Sequence, residues 1–229
     1  MSAAQNQYSI GLDKTPANYV PLTPLSFLAR SAAVYPDHVS TVYDGRSFTW
    51  AETYARCKRF ASWLAGRGIG HADTVAAMLP NIPAMNEAHF AVPMAGAVLN
   101  ALNIRLDAPS IAFQLEHGGA KIILVDPEFS GVIAEALTLM KGAKPFVIDV
   151  DDAAFAGGKR IGELEYEDAV AQGDENFVAR QFFRRQRFCS GVGSESAARS
   201  RRGSKAVITR AVPLVIIGSA VSCGMAGSP

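Results

Sequence analysis

Few residues in this chain combine a reactive type with a spacing that chemistry could use. Glu87 and His89 are a carboxylate and an imidazole two positions apart, the types that serve general acid–base catalysis. Their surroundings, MNEAHFAV, read as a packed helix, and both are taken as satisfied polar groups rather than reacting ones. Gly66-Arg67-Gly68-Ile69-Gly70 has the look of a dinucleotide-binding loop, but it follows a helical pattern and precedes a strand, and that fingerprint needs the reverse order. Gly157-Gly158-Lys159 suggests a phosphate loop, yet Arg160 stands where Ser or Thr should hold magnesium. It is read as a surface turn. Ser190-Gly191-Val192-Gly193 with Lys205 lacks the order of any phosphate loop. Glu163, Glu165, Glu167 and Asp168 are read as a solvated helix face. His38, His71, His89 and His117 have no metal-ligand spacing, and Cys57, Cys189 and Cys223 form no CxxC pair. No catalytic, cofactor-binding or metal-binding residue is therefore assigned, and no cofactor is expected for this chain.

The composition is that of a folded domain. Of the 229 residues, 49% are hydrophobic and 19% charged, with an overall charge of +1. The charge is unevenly spread. Residues 1–181 carry 14 Lys and Arg against 20 Asp and Glu, a balance of −6. Residues 182–229 carry 8 basic residues against Glu195 alone, a balance of +7, and the two halves recover the +1. So abrupt a shift marks a boundary. Three scattered cysteines argue against a disulfide framework and favour a reducing, cytoplasmic setting. Met1 to Asp13 is polar, so a secretory signal is not expected.

The body alternates helix and strand signals. Thr23 can cap a helix with Pro24 at its first position, ended by Tyr35-Pro36. Val39 to Tyr43 and Arg46 to Thr49 flank Asp44-Gly45, a hairpin signal. Thr49 to Glu52 is a capping box opening a helix that Gly66 and Gly68 stop. Thr74 to Leu79 is a strand; residues 83–98 are helical, with Pro93 bending or ending them; Val98 to Ile104 returns toward the sheet. Asp107 caps a helix closed by Gly118-Gly119. Lys121 to Val125, KIILV, is a strand buried on both faces. A helix from about Glu128 to Met140, a strand from Pro145 to Val150, and an acidic helix over 163–171 complete the pattern. Strand–helix–strand alternation predicts an α/β fold with a mainly parallel, doubly wound sheet flanked by helices.

Several phrases carry more than periodicity. They are TPLSFLARSAAVYP over 23–36, SFTWAE over 47–52, MLPNIPAMNEAHFAVPMAGAVLNALNIRL over 78–106 and ILVDPEF over 123–129. Together they resemble the N-terminal region of acyl-CoA synthetases of the adenylate-forming, AMP-binding ligase superfamily, in the branch acting on short- and medium-chain acids. The resemblance runs from about Pro21 to Arg180 and covers mostly scaffold. It implies an incomplete N-terminal subdomain of the adenylate-forming fold.

It also implies a parent reaction in fatty acid metabolism. ATP activates a small carboxylic acid as an acyl-adenylate, and the thiol of coenzyme A then displaces AMP. For the full-length family member the ligands are the carboxylic acid, ATP, magnesium and CoA. Such a reaction brings an anion onto a polyanion and needs backbone N–H donors and cations around the phosphates. In the family a loop of TSGTTG-x-PKG type supplies them, some tens of residues past the position matching Asp174. No such loop occurs here, and every later element would lie beyond residue 229.

From Phe182 the family pattern stops. Residues 182–205, FFRRQRFCSGVGSESAARSRRGSK, keep no helical or strand period. The chain is therefore read as a partial AMP-binding domain, 1–181, followed by an irregular basic tail, 182–229, produced by a change of reading frame. Two other readings of the tail stay open. Residues 211–226 are an apolar run after a basic stretch, as in a membrane anchor, but too short and too broken by Pro213 and Gly218 for stable insertion. Residues 184–202 are basic as in a nucleic-acid contact, but aromatics are confined to Phe182, Phe183 and Phe188, so no nucleic-acid partner is expected. Half a domain would leave apolar surface uncovered, which makes self-association an expectation; the alternative reading is a truncated, non-catalytic paralogue that binds a partner, such as a full-length synthetase, through its exposed sheet edge and basic tail.

Overall fold

The computed structural model describes Gly11, Thr15 and residues 23–152, 154–155 and 157–179. The tail from 182, with Cys189, Cys223, Lys205 and the apolar run 211–226, lies outside the described residues.

Six helices and seven strands are described: α1 Pro24–Val34, β1 Val39–Tyr43, β2 Arg46–Thr49, α2 Trp50–Gly66, β3 Thr74–Met78, α3 Pro83–Met94, β4 Val98–Ala101, α4 Ala108–Gly118, β5 Ala120–Val125, α5 Ser130–Leu139, β6 Phe146–Asp149, β7 Leu164–Glu165 and α6 Tyr166–Ala171. Local chemistry sets most of the boundaries. Thr23 and Ser26 exchange hydrogen bonds at the start of α1, and Thr49 and Glu52 do so at the start of α2. Asp107 accepts from the Ser110 N–H at the start of α4, and Gly119 closes that helix in the left-handed region, φ 58°. At the hairpin tip Asp44 (φ 46°) and Gly45 (φ 73°) are both left-handed, the turn whose twist matches paired antiparallel strands. Pro93 carries no N–H, and α3 ends one residue later at Met94, short of the expected 98.

β3 to β7 form one parallel sheet in the order β4-β3-β5-β6-β7. Its strands alternate between two cores, because successive side chains point to opposite faces. Val75, Ala77, Ile122, Leu124 and Ile148 face the core shared with α1, α2, α3 and α6. Ala76, Met78, Ile123, Val125 and Val147 face the core shared with α4 and α5. Ile122 to Val125 are thus buried on both sides, as their unbroken apolar run predicts, while Lys121 is exposed and pairs with Asp73. The sheet is doubly wound and parallel.

One expectation fails. Residues 163–171 are not one acidic helix: Leu164 and Glu165 pair with Ile148 and Asp149 as an edge strand, and only Tyr166–Ala171 is helical. The ladder offered by β6 outweighs a weak local preference. Glu163 and Glu165 therefore leave the helix face assigned to them.

Candidate functional site at the carboxyl edge of the sheet

In a doubly wound sheet a ligand crevice is expected outside the carboxyl ends of the strands, where connections diverge. Here β3 leads through α3 to β4 on one side, and β5 leads through α5 to β6 on the other. The divergence falls between β3 and β5. Asp126, directly after β5, sits there fully buried, its N–H donating to the Met78 carbonyl at 3.2 Å. Its Oδ1 accepts from the Glu128 N–H at 2.8 Å, while Oδ2 has no hydrogen-bond partner among the described residues. Burial pushes its carboxyl up, and the nearby Asp152, Glu128 and Asp151 charges add to this.

Beside it, a cleft of about 60 Å³ opens between the hairpin and the ends of β3, β6 and β7, lined in part by Tyr43, Arg46, Arg56, Ile82, Asp152 and Glu167. A shallower cleft of about 500 Å³ continues over Arg46, Asp151, Gly158 and Arg160. Tyr43 Oη donates to Asp152 Oδ2 at 2.6 Å, tying the hairpin to the loop after β6. Burial, then that hydrogen bond and the Asp152 charge, push the Tyr43 hydroxyl up to about 12. Asp149, buried at the end of β6, accepts from the N–H groups of Ile161 and Gly162 at 3.2 and 2.8 Å. It thereby fixes the loop back to β7.

Glu87 lies behind this edge in α3, and it is buried. Arg56 Nε donates to its Oε1 at 2.6 Å, Arg56 Nη2 to its Oε2 at 3.2 Å, and Tyr166 Oη to its Oε2 at 2.8 Å. Arg56 also forks to Glu167, at 2.8 and 2.6 Å. The set ties α2, α3 and α6 together and leaves Glu87 no free oxygen for proton transfer. His89, the other candidate, is exposed, and its Nδ1 bonds the Met85 carbonyl at 2.8 Å. The two are not brought together. His38, His71 and His117 are exposed as well. Among the described residues no group of three His, Cys, Asp or Glu is placed to share a metal ion.

The other sequence candidates are structural. Gly68 (φ 78°) ends α2 before β3. Gly158 (φ 87°) is where the β6–β7 loop passes Pro127: a Cβ there would lie 2.1 Å from the Pro127 oxygen. The Lys159 N–H donates to Ser130 Oγ at 3.3 Å, a loop anchor rather than a phosphate contact. Sequence reasoning missed Asp126, Asp149 and the Tyr43–Asp152 pair. Only their position immediately after apolar strands, or in a hairpin strand, could have flagged them.

The described edge does not suit a nucleotide triphosphate. Asp44, Asp151, Asp152, Glu165 and Glu167 outnumber Arg46, Arg56 and Arg160 around the clefts, and Arg56 and Arg160 are already paired to carboxylates. A polyanion would meet net negative charge here. No step through ATP or magnesium follows from these residues.

Fold and edge geometry together define a doubly wound α/β scaffold with helices on both faces of a parallel sheet. The chain belongs to the AMP-binding enzyme family, whose model matches residues 28–181. It is 48% identical over 177 residues to a peroxisomal acetate/butyrate–CoA ligase of Arabidopsis thaliana and 43% identical over 177 residues to an acetate–CoA ligase of Humulus lupulus. Each match takes in 72% of this chain and 31% of the relative, so the chain spans under a third of those proteins. The anthranilate CoA ligase AuaEII, solved in complex with anthranoyl-AMP, shares the fold: TM-score 0.61 at 17% identity, over 71% of this chain and 30% of that one. No helix among the described residues is long and apolar enough to cross a membrane.

Proposed function

We propose that the chain is a fragment of a carboxylate–CoA ligase: a partial AMP-binding domain over 1–181 followed by a basic tail, 182–229, read out of frame. The whole protein would use ATP and magnesium to turn a small carboxylic acid into its acyl-adenylate, then pass the acyl group to CoA. This chain alone is inactive. The observation that carries the reading is the pairing of a family match ending at residue 181 with a carboxyl edge whose net charge repels phosphate. The names of the plant relatives support an acid–thiol ligase. ATP–pyrophosphate exchange by the purified 229-residue chain, with acetate or butyrate, is expected at background. Exchange above it sinks the inactive-fragment reading. Sequencing the coding DNA from about codon 170 onward, translated in three frames, checks the tail. A TSGTTG-x-PKG-like stretch in another frame is the expected result.

A second reading is a truncated, non-catalytic paralogue that binds a partner, favoured by the β1–β2 hairpin, which no third strand joins among the described residues. The proposed compartment is cytoplasmic. The Arabidopsis relative is named as peroxisomal, so imaging the tagged full chain should score both compartments.

A further inference from the structure

The carboxyl edge holds negative charge that the described residues do not balance. Arg56 is spent on Glu87 and Glu167, and Arg160 on Asp151. Asp44, Asp152 and Glu165 line the clefts, and among the described residues no Lys or Arg forms an ion pair with any of them. Arg46 lines both clefts but reaches none of the three. Burial, with the Asp151, Glu167 and Asp168 charges, pushes the Glu165 carboxyl up, the mark of a field short of cations. The buried Asp126 charge acts on Tyr43 from behind and adds to that field. Aromatic rings line the clefts as well. Phe48 already carries the Arg56 guanidinium 5.4 Å from its ring centre, and Phe155, 41% exposed, walls the shallower cleft. Carboxylates beside rings suit guanidinium groups, which pair with the one and stack on the other.

The chain's own tail supplies such groups. Residues 182–188, FFRRQRF, outside the described residues, set Arg184, Arg185 and Arg187 among phenylalanines, and no acid follows Phe182 until Glu195. The described chain ends close to the cleft. Glu175 pairs with Arg59, which stands on α2 one turn after Arg56, a step of about 4.5 Å along the axis. Arg56 itself lines the deeper cleft. Phe177 and Ala179 pack against the core that α2 shares with α3 and α6. From Ala179 the chain to Arg184 spans up to roughly 18 Å. We infer that residues 182–188 dock in the carboxyl-edge cleft of their own chain, with the arginines on Asp44, Asp152 and Glu165 and the phenylalanine rings beside Phe48 and Phe155. Docked there, the segment neutralises the edge and closes the cleft to other cationic chains. This is a property of the polypeptide as made, whichever frame encodes the tail, and it goes beyond both readings above.

The test digests the full 229-residue chain with trypsin and reads each cut by mass. Cleavage follows the undocked fraction, so Arg184, Arg185 and Arg187 are expected to be cut on the order of tenfold more slowly at low salt than in about 1 M salt, where charge reaches only roughly 3 Å. Arg199, Arg201 and Arg202, further along the tail, are expected to change little and control for the protease. Glu165→Lys should remove the low-salt protection. Asp44→Asn, in which asparagine tolerates the left-handed backbone, should reduce it and serves if Glu165→Lys fails to fold by circular dichroism. Three results overturn the docking: no slowing at 184–187 in low salt, slowing indifferent to salt and to both variants, or slowing that fades on dilution, which would put the segment on a second copy. Pyrophosphate exchange by the lone chain would sink the inactive-fragment reading without touching this one.

Discussion

Arg56 and Glu87 meet as a fork across the α2–α3 junction, at 2.6 and 3.2 Å, with the Glu87 side chain only 3% exposed. Burial pushes the Glu87 carboxyl up, while Arg56 and the Tyr166 hydroxyl pull it down. Two carboxylates hold the Arg56 guanidinium in its charged form, well above its usual range. Removing the acid would leave the largely buried Arg56 cation to Glu167 and take away the acceptor of the buried Tyr166 hydroxyl. Glu87→Ala is expected to destabilise the chain by about 3 kcal/mol, and Glu87→Gln, which keeps the shape and a partner for Tyr166, by less. Urea unfolding followed by fluorescence of Trp50 and Trp63 measures both. Equal losses would show that charge, not shape or packing, dominates.

Asp126 offers the opposite case. Its folded-state pKa is raised, so its ionised form costs stability as pH rises through the carboxylate range, and that cost vanishes at acid pH, where the group is protonated folded or unfolded. Asp126→Asn, with its side-chain oxygen still accepting from Glu128 N–H, is expected to stabilise the chain by about 1 kcal/mol at neutral pH. The two proteins should converge below roughly pH 4. Unfolding curves at both pH values decide it. A destabilised variant at neutral pH would mean that Oδ2 has a partner after all.

Tyr43 should ionise near 12 rather than with ordinary phenols. A raised folded pKa means that the stability contributed by the neutral hydroxyl is present below about 10 and is lost as pH climbs toward 12. Absorbance titration of the tyrosines should show a late step that Tyr43→Phe removes. Tyr166, fully buried, is raised as well and serves as the internal control. A late step unchanged in the variant contradicts the Tyr43–Asp152 bond.

Gly173, just past α6, lies against the backbone of α2: an added Cβ would stand 1.9 Å from the Arg59 carbonyl oxygen. Backbone cannot yield as a flexible side chain does. Gly173→Ala is expected to cost roughly 1–3 kcal/mol by overpacking and to push α6 away from α2. Amide hydrogen exchange should then quicken in Tyr166–Ala171 ahead of the β5 strand. Unchanged protection of α6 would refute the close approach.

What the sequence by itself determined here is local. Thr23, Thr49 and Asp107 cap helices through bonds spanning three residues, Asp44-Gly45 closes a two-residue turn, and the apolar run Ile122 to Val125 declares a strand covered on both faces. Those signals involve neighbours in the chain, so the residues and their partners are read together. The strand order, the edge pairing that took Leu164 and Glu165 out of a helix, and the placing of Glu87, Asp126 and Tyr43 were decided only by tertiary structure. Arg56 is 31 residues from Glu87 and 111 from Glu167, and Tyr43 is 109 from Asp152. At such separations no spacing rule links two side chains. They meet because the sheet and its helices pack in one register, and burial then fixes their hydrogen bonds and charges.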